Sequence, residues 1–210
     1  MIVLRYEKKY PFSMVSHIDL LRAFGRILNR ADVRVGCSKG FNPHMNLYFS
    51  PPLGLGTESE CELCVIDTDD TFDLSRFNAV APKGLKATEC FSVEKNPNLA
   101  ATVTWAEYLA QGEGLGALAD ATCLTQAECL LPVKRRDKTE EKDVAPLIRY
   151  VKKEGENALR FCLACGNVNL KADVFLNGLM QKEGKFFPVQ SVCKTAMFLQ
   201  NGENAESLLR

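Results

Sequence analysis

The sequence predicts an α+β fold of two tandem ferredoxin-like units, each of order βαββαβ, with antiparallel sheets carrying their helices on one face. Three observations lead there. Segments of strand and helix periodicity alternate in that order over residues 1–93. A related order recurs over residues 101–199, matching in pattern and not in residue identity. Between them lies a polar stretch, residues 94–100, in which Pro97 sits between Asn96 and Asn98 and reads as a linker. Residues 200–210 form a polar tail expected to fray.

The first unit opens with a short apolar strand at residues 2–6. Ser16 then starts a helix. Ser16-His17-Ile18-Asp19 fits a capping box, with the serine hydroxyl accepting from the amide three residues on and Asp19 reaching back to the cap. From Ile18, the residues Leu20, Leu21, Phe24, Ile27, Leu28 and Ala31 recur at helical spacing. A loop at 36–44 contains Gly40 and Asn42-Pro43, which form turns. Strands follow at 47–50 and 60–67. A helix at 73–81 has Leu74, Phe77 and Val80 on one face, and Pro82 and Gly84 end it. Residues 85–93 close the unit as a strand. The second unit reads as a strand at 103–110, a short helix at 115–122, strands at 129–136, 147–153 and 159–164, a helix at 172–181 and a strand at 189–199. Residues 134–143 mix five basic and four acidic side chains, as in an exposed hairpin or loop, where Lys134, Arg135 and Arg136 could touch a polyanion.

Composition narrows the function classes. With 46% hydrophobic residues among 210, disorder is excluded. No apolar run approaches the roughly 20 residues of a membrane span, and the opening MIVLRYEKKY lacks a signal-peptide layout. The expectation is a cytoplasmic protein without membrane contact. Nine cysteines, an odd number, then read as reduced thiols, five of them (Cys61, Cys64, Cys129, Cys162, Cys165) in strand-like apolar runs. Cys61/Cys64 and Cys162/Cys165 have the CxxC spacing that zinc uses. On a strand, however, positions i and i+3 face opposite ways. Buried thiols are therefore expected, with a zinc site at Cys61, Cys64, Cys162 and Cys165 as the alternative. Gly54-Leu55-Gly56-Thr57 lacks the third glycine of a dinucleotide fingerprint and precedes a strand, and there is no Walker A sequence. The CxxxCxxC arrangement of radical SAM enzymes is absent. No cofactor is expected.

Both histidines lie in the first unit, His17 at the start of its first helix and His44 at the end of the 36–44 loop. A helix N-terminus favours a neutral imidazole, so either could act as a general base or sit where backbone amides bind phosphate. Arg22, Arg26 and Arg30 form a stripe along the helix, with Lys8, Lys9, Arg34 and Lys39 nearby in sequence. Such a stripe tracks phosphates or is a solvated helix face. Zero net charge conceals this asymmetry: residues 1–46 carry eight basic and three acidic side chains, residues 54–75 seven acidic and none basic.

Over Ser16, His17, Asp19, Arg22, Ser38, Gly40, Phe41, Asn42, Pro43, His44, Pro52, Leu53 and Gly56 the chain resembles the radical SAM-linked domain of unknown function, which occurs alone or C-terminal in radical SAM proteins. Phe77-Asn78, Pro82-x-Gly84-Leu85, and Asp143 with Pro146-Leu147-Ile148 extend the resemblance over most of the chain. Met45 stands where the family often has another proline. Ala145 interrupts the family's Asp-x-Arg-Pro-Leu-Ile run and removes its basic group. The resemblance implies an accessory binding domain that acts with a radical SAM partner and contacts RNA or a ribosome-associated complex. Its expected surface is Ser16, His17, Asp19, Arg22, Arg26, Ser38, Lys39, Asn42 and His44, and the family has no established reaction. Two alternatives stand beside it. One is an RNA-processing enzyme, endoribonuclease-like, with His17 or His44 as general base; the other is a protein scaffold without nucleic acid.

Overall fold

The computed structural model describes residues 1–135 and 138–209, and the side chains of all these except Lys134, Arg135 and Lys138. In chain order the elements are β1 (Ile2–Lys8), α1 (His17–Arg30), β2 (Leu47–Phe49), β3 (Glu58–Ile66), α2 (Leu74–Val80), β4 (Leu85–Ser92), α3 (Leu99–Thr102), β5 (Val103–Gln111), β6 (Leu130–Arg135), β7 (Lys138–Asp143), β8 (Ile148–Lys153), β9 (Ala158–Ala164), α4 (Ala172–Glu183) and β10 (Ser191–Leu199). The α+β class and most element positions agree with the periodicity.

The sheet differs from expectation. Instead of two antiparallel sheets, eight strands form one mixed sheet of order β4-β1-β3-β10-β5-β9-β8, with β2 also on β3. The reason is the length of β3. Its Cys64–Ile66 end pairs with β2, which leaves the Glu58–Ser59 end of the same edge for β10, in parallel. Only β6 and β7 stand apart, as a two-stranded hairpin. The hairpin lies against α4, where a Cβ on Gly178 would meet the Leu131 side chain at 3.1 Å, so glycine is what permits the approach.

Strand alternation sorts the core into faces. Leu4 and Tyr6 of β1 and Cys64 and Ile66 of β3 join Phe24, Ile27, Leu28 and Phe77 beneath α1 and α2. Their neighbours Val3, Cys61, Leu63 and Val65 point to the other side, where Leu99, Val103 and Met197 cover them. Phe161, Leu159, Phe175 and Leu179 build the core under α4.

Two further expectations need correction. The short helix at 115–122 is a pair of 3₁₀ turns, Leu115–Asp120 and Thr122–Thr125. Its buried apolar side chains, Leu115, Leu118 and Ala121, recur every three positions, the 3₁₀ period and not the α period. The tail, as far as Leu209, has structure of its own. Leu199 N–H donates to Glu203 O, the chain turns back, and a 3₁₀ turn at Ala205–Leu209 buries Ala205 and Leu209 against the back of the sheet. Among the described residues no helix is long and apolar enough to cross a membrane.

Candidate functional site

The start of α1 is built as its sequence requires, with one change. Ser16 Oγ accepts from the Asp19 amide (3.2 Å) and donates to Asp19 Oδ2 (2.7 Å), so the carboxylate returns to the serine hydroxyl and not to its backbone amide. Arg22 Nη1 donates to Asp19 Oδ1 at 3.0 Å. These two hydrogen bonds hold the exposed Asp19 carboxyl below the usual carboxylate range. The pair is open to water and weak, so Arg22 stays available to a stronger anion.

The loop after α1 is pinned at its base and free at its tip. Gly36 N–H donates to Asp67 O, Asn46 Nδ2 to Asp67 Oδ2 (2.9 Å), and Arg34 N–H to Asp70 Oδ2 (2.8 Å). Inside the loop, Ser38 N–H donates to His44 O, His44 N–H to Ser38 Oγ, and His44 Nδ1 lies 2.9 Å from Asn42 O. Met45 anchors the return, since a Cβ on Gly25 of α1 would lie 3.5 Å from its sulfur. The loop therefore rests on the turn of α1 that carries Arg22 and Arg26. Phe41 at the tip is wholly exposed.

This arrangement answers the charge question. Glu58 and Glu60 pair with Lys9, Glu62 with Lys194, Asp67 and Asp70 staple the loop, and Asp73 caps α2. Six of the seven acidic side chains of that segment, all but Asp69, are thus occupied elsewhere. Arg26, Arg30 and Lys39 are exposed and have no ion pair among the described residues. Side-chain contacts of Lys134, Arg135 and Arg136 with a polyanion lie outside the described residues.

His17 does not join that surface. Its ring turns inward, edge-on to Phe49 at 5.7 Å between centroids, beside Tyr6, Lys8 and Glu62 around a cavity of about 10 Å³. Burial first, then the Lys8 charge, lowers its pKa against the opposing pull of Glu62, so it is neutral at pH 7. A cavity of that size has room for about one water and no nucleotide. No hydrogen bond or ring contact joins His17 to His44 among the described residues. The expected single surface therefore divides: Ser16, Asp19, Arg22 and Arg26 lie on the open helix, Ser38, Lys39, Asn42 and His44 in the loop beside it, and His17 beneath.

The cysteine pairs do not converge on a metal. Cys61 belongs to one face of β3 and Cys64 to the other. Among the described residues no group of three His, Cys, Asp or Glu side chains could hold an ion. Burial raises the thiol pKa of Cys61 to about 12, of Cys162 to about 12 and of Cys165 to about 11.

A polar row that sequence reasoning missed crosses the middle of the sheet. Register aligns Lys8 on β1 with Ser59 on β3, Ser59 with Lys194 on β10, and Lys194 with Tyr108 on β5. Lys194 Nζ lies 2.7 Å from Glu62 Oε1, with the two side chains 1% and 4% exposed. Ser59 Oγ donates to Glu62 Oε1 (2.8 Å) and Ser50 Oγ to Oε2 (3.3 Å). Lys8 Nζ donates to Val15 O at 2.8 Å. Burial alone would lower the Lys194 pKa, yet the Glu62 carboxylate outweighs it and raises the value. For Lys8 burial wins and the pKa falls. The one available signal was a charge flanked by apolar residues in a strand, Glu62 between Cys61 and Leu63 and Lys194 alone in SVCKTAMFL.

A family model described as "Uncharacterized protein conserved in bacteria (DUF2344)" matches residues 1–171. No curated protein matches. Among solved structures, a chain of "Crystal Structure of a Cbf5-Nop10-Gar1 Complex" is similar with a TM-score of 0.51 and 10% identity, over 93% of this chain and 48% of that one. At that identity the likeness is one of fold, and this chain spans about half the length of the chain it matches.

Proposed function

The chain belongs to this DUF2344 family of uncharacterized proteins conserved in bacteria, and from that premise we propose that it is a binding domain that contacts RNA through α1 and the 36–44 loop. One observation carries the reading: a wholly exposed aromatic, Phe41, stands on a loop seated against a helix whose Arg22, Arg26 and Arg30 face water. Single-stranded RNA is held by that combination, with arginines on the phosphates and an aromatic ring on an unstacked base. Lys39, Asn42 and His44 on the same loop supply further donors. The resemblance to the radical SAM-linked domain adds a radical SAM protein as the partner with which the domain acts. We also read the sheet as two ferredoxin-like units joined edge to edge. The orders β4-β1-β3-β2 and β10-β5-β9-β8 support this, since both run fourth, first, third, second strand.

The test is a salt titration of binding to single-stranded RNA oligonucleotides. Affinity is expected to fall linearly in log–log form with salt, and Arg22→Ala and Arg26→Ala each to reduce the slope by about one. Phe41→Ala is expected to weaken binding by roughly five- to a hundredfold, the worth of one base–aromatic stack. No binding at low salt, or binding indifferent to all three substitutions, rejects the proposal. A complex with the radical SAM partner that survives nuclease treatment would instead assign the domain to protein contact.

A further inference from the structure

The seam between β3 and β10 lies beside a second cleft, distinct from the arginine face, with a volume of about 220 Å³. Pro52, Gly54 and Thr57 line it from the segment before β3, Gly166 and Lys171 from the segment before α4, and Tyr108 from the sheet. Three of its properties point to a ligand. Tyr108 and Thr57 are 8% and 7% exposed, and neither hydroxyl has a hydrogen-bond partner among the described residues. Both residues line the cleft, so water or a ligand held there is the partner open to their hydroxyls. Burial raises the phenol's pKa and keeps it a donor at neutral pH.

The 12-residue α4 begins at this cleft, with Ala172 in its wall. Its N-cap, Lys171, makes no side-chain capping bond, so the first-turn amides have no side-chain acceptor there. Finally, the lining contains no acidic side chain, and Lys171 is its only charged residue. The nearby Lys194 and Glu62 neutralise one another as an ion pair, which leaves Lys171 as the charge that faces the cleft. Asp173 in the first turn of α4 is exposed and outside the lining, and both hydroxyls and the first-turn amides can donate into the cleft.

We propose that this cleft binds an oxyanion, the phosphate or carboxylate end of a small molecule, with the Tyr108 and Thr57 hydroxyls and the first-turn amides of α4 as donors and Lys171 as the counter-charge. Gly54 and Gly166 keep the walls free of side chains, and Pro52 offers an apolar surface for the rest of the molecule. The volume limits that remainder to about the size of one sugar ring. The proposal is independent of RNA contact at Arg22 and Arg26.

The test is amide NMR of the full chain, titrated separately with inorganic phosphate, ribose 5-phosphate and acetate at constant ionic strength. Saturable shifts are expected at Thr57, Tyr108, Gly166 and Ala172–Val174. Tyr108→Phe retains the ring that stacks on Phe161 at 5.6 Å, and the fold with it. This substitution and Thr57→Val are each expected to weaken binding about tenfold or more, the worth of a hydrogen bond to a charged group. Arg22→Ala is expected to leave binding unchanged. Saturation by inorganic phosphate alone identifies free phosphate, tighter saturation by ribose 5-phosphate a phosphomonoester, and saturation by acetate a carboxylate. No saturable shift with any probe overturns the proposal, as does saturation that both hydroxyl variants leave intact.

Discussion

Replacing Glu62 by glutamine is expected to destabilise the protein more than replacing Lys194 by methionine, although the two side chains form one ion pair. The pair is 2.7 Å long and almost wholly buried. Breaking such a pair from one side costs about 3–5 kcal/mol, because the other charge is left without a partner. The two sides are not equivalent here. In Lys194→Met, Glu62 keeps the Ser59 and Ser50 hydroxyls and the attraction of buried Lys8. In Glu62→Gln, Lys8 and Lys194 remain as two buried ammonium groups without a carboxylate. We expect Glu62→Gln near the upper end of that range and Lys194→Met near the lower. At about 2–4 °C per kcal/mol for a chain of this size, Glu62→Gln lowers Tm by roughly 10 °C or more. Urea unfolding followed by fluorescence of Trp105, the one tryptophan, measures the difference, compared at unchanged m. The double variant is expected to be more stable than Glu62→Gln alone. Because folding raises the Lys194 pKa, the stability it contributes is complete below its unfolded value of about 10.4 and is lost only above it. The gap between wild type and Lys194→Met is therefore expected to be flat from about pH 6 to 9. A Lys194→Met cost equal to or above that of Glu62→Gln, or either cost under about 1 kcal/mol, refutes the reasoning.

Four other outcomes are expected. His17 has a lowered folded pKa, so the unfolded chain takes up its proton first and stability falls as pH drops through about 6.5; His17→Gln is expected to reduce that loss in urea midpoints between pH 7 and 5. Ser16→Ala removes the α1 cap and is expected to cost about 1 kcal/mol, a fall in Tm of roughly 2–4 °C by thermal circular dichroism. Gly84→Ala drives a Cβ into the Lys9 carbonyl oxygen at a φ of +90°, and a loss of more than about 1 kcal/mol is expected by the same melt. Maleimide labelling of the native protein is expected to show one fast thiol, Cys37, the exposed cysteine, and Cys37→Ser to abolish it.

What could be read from the chain in advance was local. Ser16, Asp19 and the Phe24–Leu28 spacing define α1 within a few residues of one another, and Pro82-x-Gly84 marks the exit from α2. Even there the apolar stripe was drawn too wide, since Ile18 and Leu21 face solvent and the buried set is Leu20, Phe24, Ile27 and Leu28. His17 was grouped with its exposed neighbours because its direction depends on Phe49, more than thirty residues away. The β3–β10 pairing and the Lys8–Ser59–Lys194–Tyr108 row were hidden for the same reason. They depend on register between distant strands, and a single lysine in a strand carries no mark of whether its face is buried. Blocks of charge misled too: the acidic stretch opposes Lys9 and Lys194, and not the arginines beside it in sequence.

The insertion of β10 between β3 and β5 has a consequence for how the chain acquires its shape. Synthesis from the N-terminus exposes the two halves before the strand that joins them emerges. Until Ser191–Leu199 emerges, part of one edge of β3 and the whole facing edge of β5 present unpaired amides and carbonyls. Lys194 arrives with that strand, so Glu62 waits, buried or solvated, for its counter-charge. Closing this gap joins residues more than 130 positions apart, a contact of high sequence separation and therefore slow to form. During synthesis the half-built sheet is a template for any stray strand, and the late strand acts as its natural stopper.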